Sequence, residues 1–216
     1  MIKKIVLFLL IIVIMFMLLL IGIVKEEFND NSKIKNTEYI FIHIPKNAGT
    51  SFSEKYCNGQ PGHKKASDYS IDKLKKSVAI VRNPYDRIVS CYKYFKMKGN
   101  YWSKKYNMSK NHTPLHDYCQ KNSFKQFIND LYSKKIEKDI HLQPQSNFLK
   151  KDNKIYTKIM KFENIDEDFY KIFNKEIELP KINKSENYKI DIEQDTKNKI
   201  YEMYKEDFEL FGYPKK

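Results

Sequence analysis

Two short stretches of this chain share one local plan, and that plan restricts the fold more than any other feature. In Phe41-Ile-His-Ile-Pro-Lys-Asn-Ala-Gly-Thr-Ser51 and in Ala79-Ile-Val-Arg-Asn-Pro-Tyr-Asp-Arg-Ile-Val-Ser-Cys-Tyr92, a run of β-branched and aromatic residues reads as a buried strand. A turn containing proline follows, and hydroxyl or basic side chains stand where a helix would begin. Strands that feed helices in this way call for a parallel sheet with right-handed crossovers, so the expected fold class is α/β. Ligands on such sheets bind at the carboxyl ends of the strands, where both turns fall.

Each turn has the makings of an anion grip. The first N–H groups of a helix lack intrahelical partners and point, with the positive end of the dipole, at whatever lies beyond Thr50 and Ser51. Gly49 permits a tight backbone approach, Lys46 adds a mobile positive charge, and the two hydroxyls can donate. In the second stretch Arg82 ends the strand, Asn83 can cap, Pro84 suits the first helical position, and Ser90 lies about two turns along. Arg82 and Ser90 are placed to clasp a second phosphate. The nucleotide loop Gly-x-x-x-x-Gly-Lys-Ser/Thr is absent, which disfavours an ordinary ATPase or GTPase.

Pro45-Lys-Asn-Ala-Gly-Thr-Ser51 resembles the 5′-phosphosulfate loop of sulfotransferases that use 3′-phosphoadenosine 5′-phosphosulfate (PAPS), and Arg82-Asn-Pro with Ser90 and Tyr92 resembles their 3′-phosphate loop. The likeness is closest to membrane-anchored carbohydrate sulfotransferases and their bacterial relatives. Weaker echoes follow in order: Gly62-His-Lys-Lys-Ala66 with Tyr69, His141-Leu-Gln-Pro-Gln145, and Tyr204-Lys-Glu-Asp207 ending in Phe211-Gly-Tyr213. One departure is Asn47, where many relatives carry Thr; its backbone N–H remains available. The resemblance implies a P-loop-like three-layer fold with a central parallel sheet. It further implies PAPS as donor, 3′,5′-ADP as product, no metal, and a carbohydrate hydroxyl as acceptor. The donor would be held by Lys46, Asn47, Ala48, Gly49, Thr50, Ser51, Arg82 and Ser90. Asn183, Ser185 and Tyr188 would help at the 3′-phosphate or adenine end.

Sulfuryl transfer to an alcohol needs an activated donor, a base near the acceptor hydroxyl, and positive charge where the leaving phosphate gains negative charge. Lys46 is the candidate for the charge and His63 for the base, since imidazole titrates near neutral pH and His63 follows the first helix closely. Taken alone, His63 also reads as an exposed loop residue beside Lys64 and Lys65; the Gly-His-x-x-Ala resemblance favours catalysis. His43 alternates with Phe41 on the strand and reads as buried. His141, with Gln143 and Gln145, is a candidate to meet the acceptor or the nucleotide. His112 and His116 fall in a lid-like segment and read as exposed, with substrate contact the alternative, and Asp86 and Arg87 read as surface or structural pairs.

The first residues carry a different signal. Ile5 to Val24 are 20 uncharged, almost wholly aliphatic positions, the length of a bilayer's hydrocarbon core, with no Ala-x-Ala-like cleavage site after them. Lys3 and Lys4 precede the run and Lys25 is followed by two Glu, so the basic bias places the N-terminus in the cytoplasm. The expected organisation is a tail over 1–4, an uncleaved anchor over 5–24, a polar stem over 25–37 and a sulfotransferase domain over 38–216. The expected topology is type II, and in a eukaryotic setting the resemblance implies the Golgi with the catalytic body in the lumen. Residues 38–216 are enough for one full core.

The formal charge of +13 comes largely from Lys spread along the chain. It fits a solvated lysine-rich surface as well as a cleft that attracts an anionic glycan; nucleic acid is not the expected partner. Cys57, Cys91 and Cys119 cannot close a disulfide framework, although one bridge stays open, and no zinc-type Cys/His cluster is present. Asn107-Met-Ser, Asn111-His-Thr and Asn183-Lys-Ser match glycosylation sequons.

Elsewhere the patterns predict strands over 39–44, 78–81 and 154–162, helices over 50–57 and 71–76, and a lid-like insertion over 100–122. Ser123 would cap a helix with an inward stripe of Phe124, Phe127, Ile128 and Leu131, and Asn164 would open another carrying Phe169, Ile172 and Phe173. A loop over 180–188 precedes a last helix over 194–208. Two other readings compete. One is a P-loop-type small-molecule kinase, weakened by the missing Walker elements; the other is a tethered glycan-binding protein without turnover.

Overall fold

The computed structural model describes residues 12–17, 30–97, 113–136, 139–180 and 190–216. Three parallel strands form the centre: β1 (Ile40–Ile42), β2 (Ser77–Val81) and β5 (Lys158–Lys161), in the order β1-β2-β5. The register sets Ile42 beside Ala79 and Val81 beside Lys161. Because strand side chains alternate, β2 faces two cores at once. Ala79 and Val81 join Ile40, Ile42 and, from the short helix α6 (Ser146–Leu149), Phe148 and Leu149 on one side; Val78 and Ile80 join Phe41, Phe52, Met160 and Phe169 on the other.

Each strand runs into a helix through a short connection. β1 leads to α1 (Gly49–Tyr56); α2 (Ile71–Lys75) returns the chain to β2, which leads to α3 (Pro84–Lys96). A third core is wholly helical. It packs α3 against α4 (Pro114–Lys121), α5 (Phe124–Tyr132), α8 (Gln194–Met203) and α9 (Lys205–Leu210) around Tyr92, Phe95, Phe127, Ile128 and Phe208. The caps anticipated at Asn83 and Ser123 form: Asn83 Oδ1 accepts from Tyr85 N at 3.0 Å and Ser123 Oγ from Gln126 N at 3.2 Å.

Several expectations change. The strand expected over 154–162 is divided: β3 (Lys150–Lys151) and β4 (Lys154–Ile155) make an antiparallel hairpin, and only Lys158–Lys161 joins the parallel sheet. Asp152 and Asn153, both at positive φ, form its two-residue turn, a geometry short polar side chains tolerate. Within the lid-like segment, Pro114–Lys121 is helix α4, with Leu115, His116 and Cys119 buried. The last helix breaks at Tyr204, whose hydroxyl donates to Leu142 O at 2.7 Å and fixes the bend between α8 and α9. α7 (Ile165–Phe173) starts at Asn164 as anticipated.

Within the expected stem, Ser32 and Ile34 are buried, and Lys33 and Ile34 bridge to Ile40 and Cys57. Residues 12–17 are helical and exposed, and no helix among the described residues is long and apolar enough to cross a membrane. The rest of the expected span, the three sequons, His112, Asn183, Ser185 and Tyr188 lie outside the described residues.

Candidate functional site: two anion loops joined by a buried amide pair

The first loop reverses direction through Lys46 and Ala48, both at positive φ. Ala48 occupies the N-cap of α1 with a left-handed backbone and offers no side-chain cap. The first intrahelical donor is Phe52 N, to Ala48 O at 3.0 Å, so the N–H groups of Gly49, Thr50 and Ser51 remain for something outside the helix. Gly49 is needed for a nearer reason than ligand approach. A Cβ there would lie 1.9 Å from the His43 ring, which packs against the start of α1.

Arg82 and Ser90 of the second loop sit half-buried. The Arg82 guanidinium lies 4.6 Å over the Phe162 ring, and its Nη1 reaches Lys46 O at 3.5 Å. Its Nε is buried with no hydrogen-bond partner. Burial pulls the guanidinium below its ordinary pKa, opposed by Asp86 and Glu163. Glu163, which the sequence did not single out, accepts from Asn83 N at 2.7 Å and from Tyr213 OH at 2.8 Å. It thereby draws the turn after β5 and the C-terminal segment to the second loop.

Gln145 joins the two loops. Its Oε1 accepts from Asn47 Nδ2 at 2.7 Å and from Arg82 N at 2.9 Å, while its Nε2 donates to Arg82 O at 2.9 Å. Asn47 Nδ2 also donates to Ile80 O at 2.8 Å. Both residues are buried, at 0 % exposure for Gln145 and 1 % for Asn47. Gln145 therefore has no surface with which to meet an acceptor, and that expectation is corrected: it ties the loops together. The Gln145 and Ser146 N–H groups in turn donate to the Asp207 carboxylate at 2.7 and 2.8 Å. Asp207 belonged to the C-terminal echo, and burial raises its pKa.

Arg87 changes its role as well. It is 2 % exposed, and its guanidinium donates to Pro45 O at 3.1 Å, Gln143 O at 2.9 Å and His141 O at 3.0 Å. One side chain of α3 thus holds the entry of the first loop and the whole 141–143 turn. Asp86, by contrast, is exposed as anticipated.

Lys46 lies over the Tyr94 ring, its Nζ 4.3 Å from the centroid. Burial, with Arg82 and Arg87 close by, lowers its pKa to about 8. His63 stands across the same space, with Nδ1 3.1 Å from His43 O. A carbonyl can only accept, so the proton sits on Nδ1 and Nε2 keeps its lone pair. The rings of His43 and His63 are 4.5 Å apart and those of His63 and His141 5.6 Å. Burial, above all, holds both His43 and His63 below the ordinary imidazole pKa. His116 is buried, not exposed: its Nδ1 lies 3.2 Å from Thr113 N, closing the start of α4.

Cys57, Cys91 and Cys119 are buried free thiols. Among the described residues no cluster of His, Cys, Asp and Glu is suited to a metal ion. A cavity of about 410 Å³ borders the region, lined by Thr113, Pro114, Leu115, Tyr118, Lys135, Ile136 and Asp139.

The α/β chain thus brings together a loop of free helix N–H groups, a buried Lys, an unpartnered Arg Nε and an imidazole with an open nitrogen. The model of the Sulfotransferase family matches residues 34–214, and the chain belongs to that family. It is a sulfotransferase enzyme, of the class that takes its sulfuryl group from a sulfonate donor such as PAPS. No curated protein and no solved structure matches the chain.

Proposed function

We propose that this protein is a membrane-anchored carbohydrate sulfotransferase that moves the sulfuryl group of PAPS to a glycan hydroxyl in one in-line displacement. The fold would be the P-loop-like three-layer type. The observation that carries the reading is the Asn47–Gln145–Arg82 linkage. It sets the first loop, with its free amides and Lys46, at a fixed distance from Arg82, whose buried Nε still lacks a partner. A donor with a phosphosulfate at one end and a 3′-phosphate at the other suits both.

In this reading the Gly49, Thr50 and Ser51 amides, with the Thr50 and Ser51 hydroxyls, hold the 5′ end, and Arg82 with Ser90 holds the 3′-phosphate. The Lys46 ammonium, aimed by the Tyr94 face, meets the charge that builds on the leaving phosphate. His63 Nε2 removes the acceptor proton. Its low basicity in a buried site keeps it unprotonated at neutral pH, which a base requires. The +13 charge is compatible with an anionic glycan, and Ile5–Val24 would anchor the chain with its catalytic body in the lumen.

The test is incubation of the full chain in detergent with ³⁵S-labelled PAPS and a panel of neutral and uronic-acid polysaccharides. Label should enter a polysaccharide as 3′,5′-ADP is released, and His63→Ala should slow transfer with donor affinity kept. Magnesium-dependent ATP turnover would point instead to a kinase, and tight 3′,5′-ADP binding without transfer to a glycan-binding protein. Protease protection of the body in sealed microsomes tests the topology; digestion from the cytosolic side would reject it.

A further inference from the structure

Next to His63 stands a pair that the reaction above leaves unused. The Asp139 carboxylate accepts from His141 N at 2.9 Å, and its Oδ1 lies 2.5 Å from His141 Nδ1. The backbone and ring of His141 are held on other sides too. Its carbonyl receives Arg87 Nη2 at 3.0 Å and Cys91 Sγ at 3.1 Å, and the imidazole stacks on Tyr94 at 5.1 Å and meets Phe95 edge-on at 5.6 Å. With Nδ1 turned to the carboxylate, Nε2 is its open nitrogen, and the His63 ring lies edge to face with it at 5.6 Å.

The two imidazoles differ in what they can do with a proton. Burial, His141 and Arg87 oppose a charge on His63, which Asp139 favours only through space, with no hydrogen bond or ion pair between the two among the described residues. Asp139 contacts His141 directly. The charged and titratable groups around the His141 ring are Asp139 on its own segment, His63 from the loop after α1, His43 just after β1 and Tyr94 from α3, while Arg87 of α3 meets its carbonyl. His116 of α4 acts on Asp139. A carboxylate beside an imidazole fixes its tautomer and balances the imidazolium that forms during proton transfer.

We propose that the Asp139–His141 pair is the terminal proton acceptor of the transfer: the proton that His63 takes from the acceptor hydroxyl ends on His141 Nε2, opposite the Asp139 carboxylate. This rests on the sulfuryl transfer proposed above. As the acceptor oxygen bonds to sulfur, the bond from sulfur to the donor's phosphate oxygen breaks and its electron pair leaves with that phosphate. The hydroxyl proton passes to His63 Nε2 and on to His141 Nε2, so no further reactant is needed. His141 handles the proton; Asp139 acts through it and is a positioning residue. Asp139 also lines the 410 Å³ cavity.

Asp139 also caps the turn Ile140–Leu142, and Asp139→Asn separates the two duties, since asparagine keeps the capping oxygen and removes the charge. In the full chain, Asp139→Asn should leave 3′,5′-ADP affinity within about twofold while single-turnover transfer from labelled PAPS to an uronic-acid polysaccharide slows at least tenfold, a part of the ~10²–10⁴ that general acid–base catalysis supplies. Because the two histidines act in series, His63→Ala with Asp139→Asn should be no slower than His63→Ala alone; structural damage would add instead. Imidazole ¹⁵N NMR of the wild-type chain reads the His141 tautomer without turnover, and the proton is expected on Nδ1. A proton on Nε2 overturns the inference even if no glycan accepts sulfate, and a wild-type transfer rate in Asp139→Asn overturns it while sulfuryl transfer stands.

Discussion

Replacing Gln145 by leucine keeps most of the side-chain volume and removes the buried hydrogen bonds through which Gln145 joins the two donor loops, leaving the longer bond of Arg82 Nη1 to Lys46 O at 3.5 Å. Three contacts go: Asn47 Nδ2 and Arg82 N lose their acceptor, and Arg82 O loses its donor. Asn47 Nδ2 keeps Ile80 O, so the stranded groups are one amide hydrogen of Asn47 and both backbone groups of Arg82. Gln145 is 0 % exposed, and water does not replace it without opening the core. At ~1–3 kcal/mol for each buried group left unpaired, the change should cost roughly 3–9 kcal/mol of stability. For a domain of this size ~2–4 °C accompanies each kcal/mol, so thermal unfolding should fall by about 6 °C or more. The second readout is titration calorimetry with 3′,5′-ADP. Its affinity should fall further than that of a core variant with the same Tm, because Gln145 no longer ties Arg82 to the first loop. A Tm within about 2 °C of wild type, with unchanged affinity, would refute the idea that this amide holds the cradle together.

Gly49→Ala, normally stabilising in a helix by up to ~1 kcal/mol, should here destabilise by about 1–3 kcal/mol and slow transfer, because the new Cβ meets the His43 ring at 1.9 Å; chemical denaturation with a rate assay reads both. Arg87→Lys keeps the charge but cannot span three carbonyls, and should lower stability by roughly 2–4 kcal/mol in urea unfolding. Lys46 has a depressed folded pKa, so its charge is present below about 8 and lost above; 3′,5′-ADP affinity should fall as pH rises through that value, and Lys46→Met should flatten the profile. Between about 8 and the ordinary 10.5 the unfolded chain holds the extra proton, so this group makes stability rise with pH across that window.

The anion loops were legible because their signals are local. A β-branched run, a proline turn and hydroxyls at a helix start lie within a dozen residues, and the structure places Lys46, Asn47, Ala48, Gly49, Thr50, Ser51, Arg82 and Ser90 in two adjoining βα turns at one end of the sheet. What joins those turns was not legible. Gln145 lies 98 residues from Asn47 and 63 from Arg82, and nothing near it distinguishes a buried amide from a surface one. Arg87 reads as a surface cation on an amphipathic helix until three carbonyls from other segments surround it. Two misses carried a signal after all. Thr113-Pro114 is a sound helix start, and Asp152-Asn153 a sound hairpin turn, yet both were read through. The break at Tyr204 has a tertiary cause, its bond to Leu142 O, and leaves no mark on the helical pattern.

The central claim is that both loops grip one donor, and titration calorimetry of the full chain with 3′,5′-ADP tests it most directly. One molecule per chain should bind, and Arg82→Ala and Lys46→Ala should each weaken binding, the former by ~1.5–3 kcal/mol as expected for a hydrogen bond to a charged group. Absence of binding, or an Arg82→Ala titration that superimposes on wild type, would contradict the account.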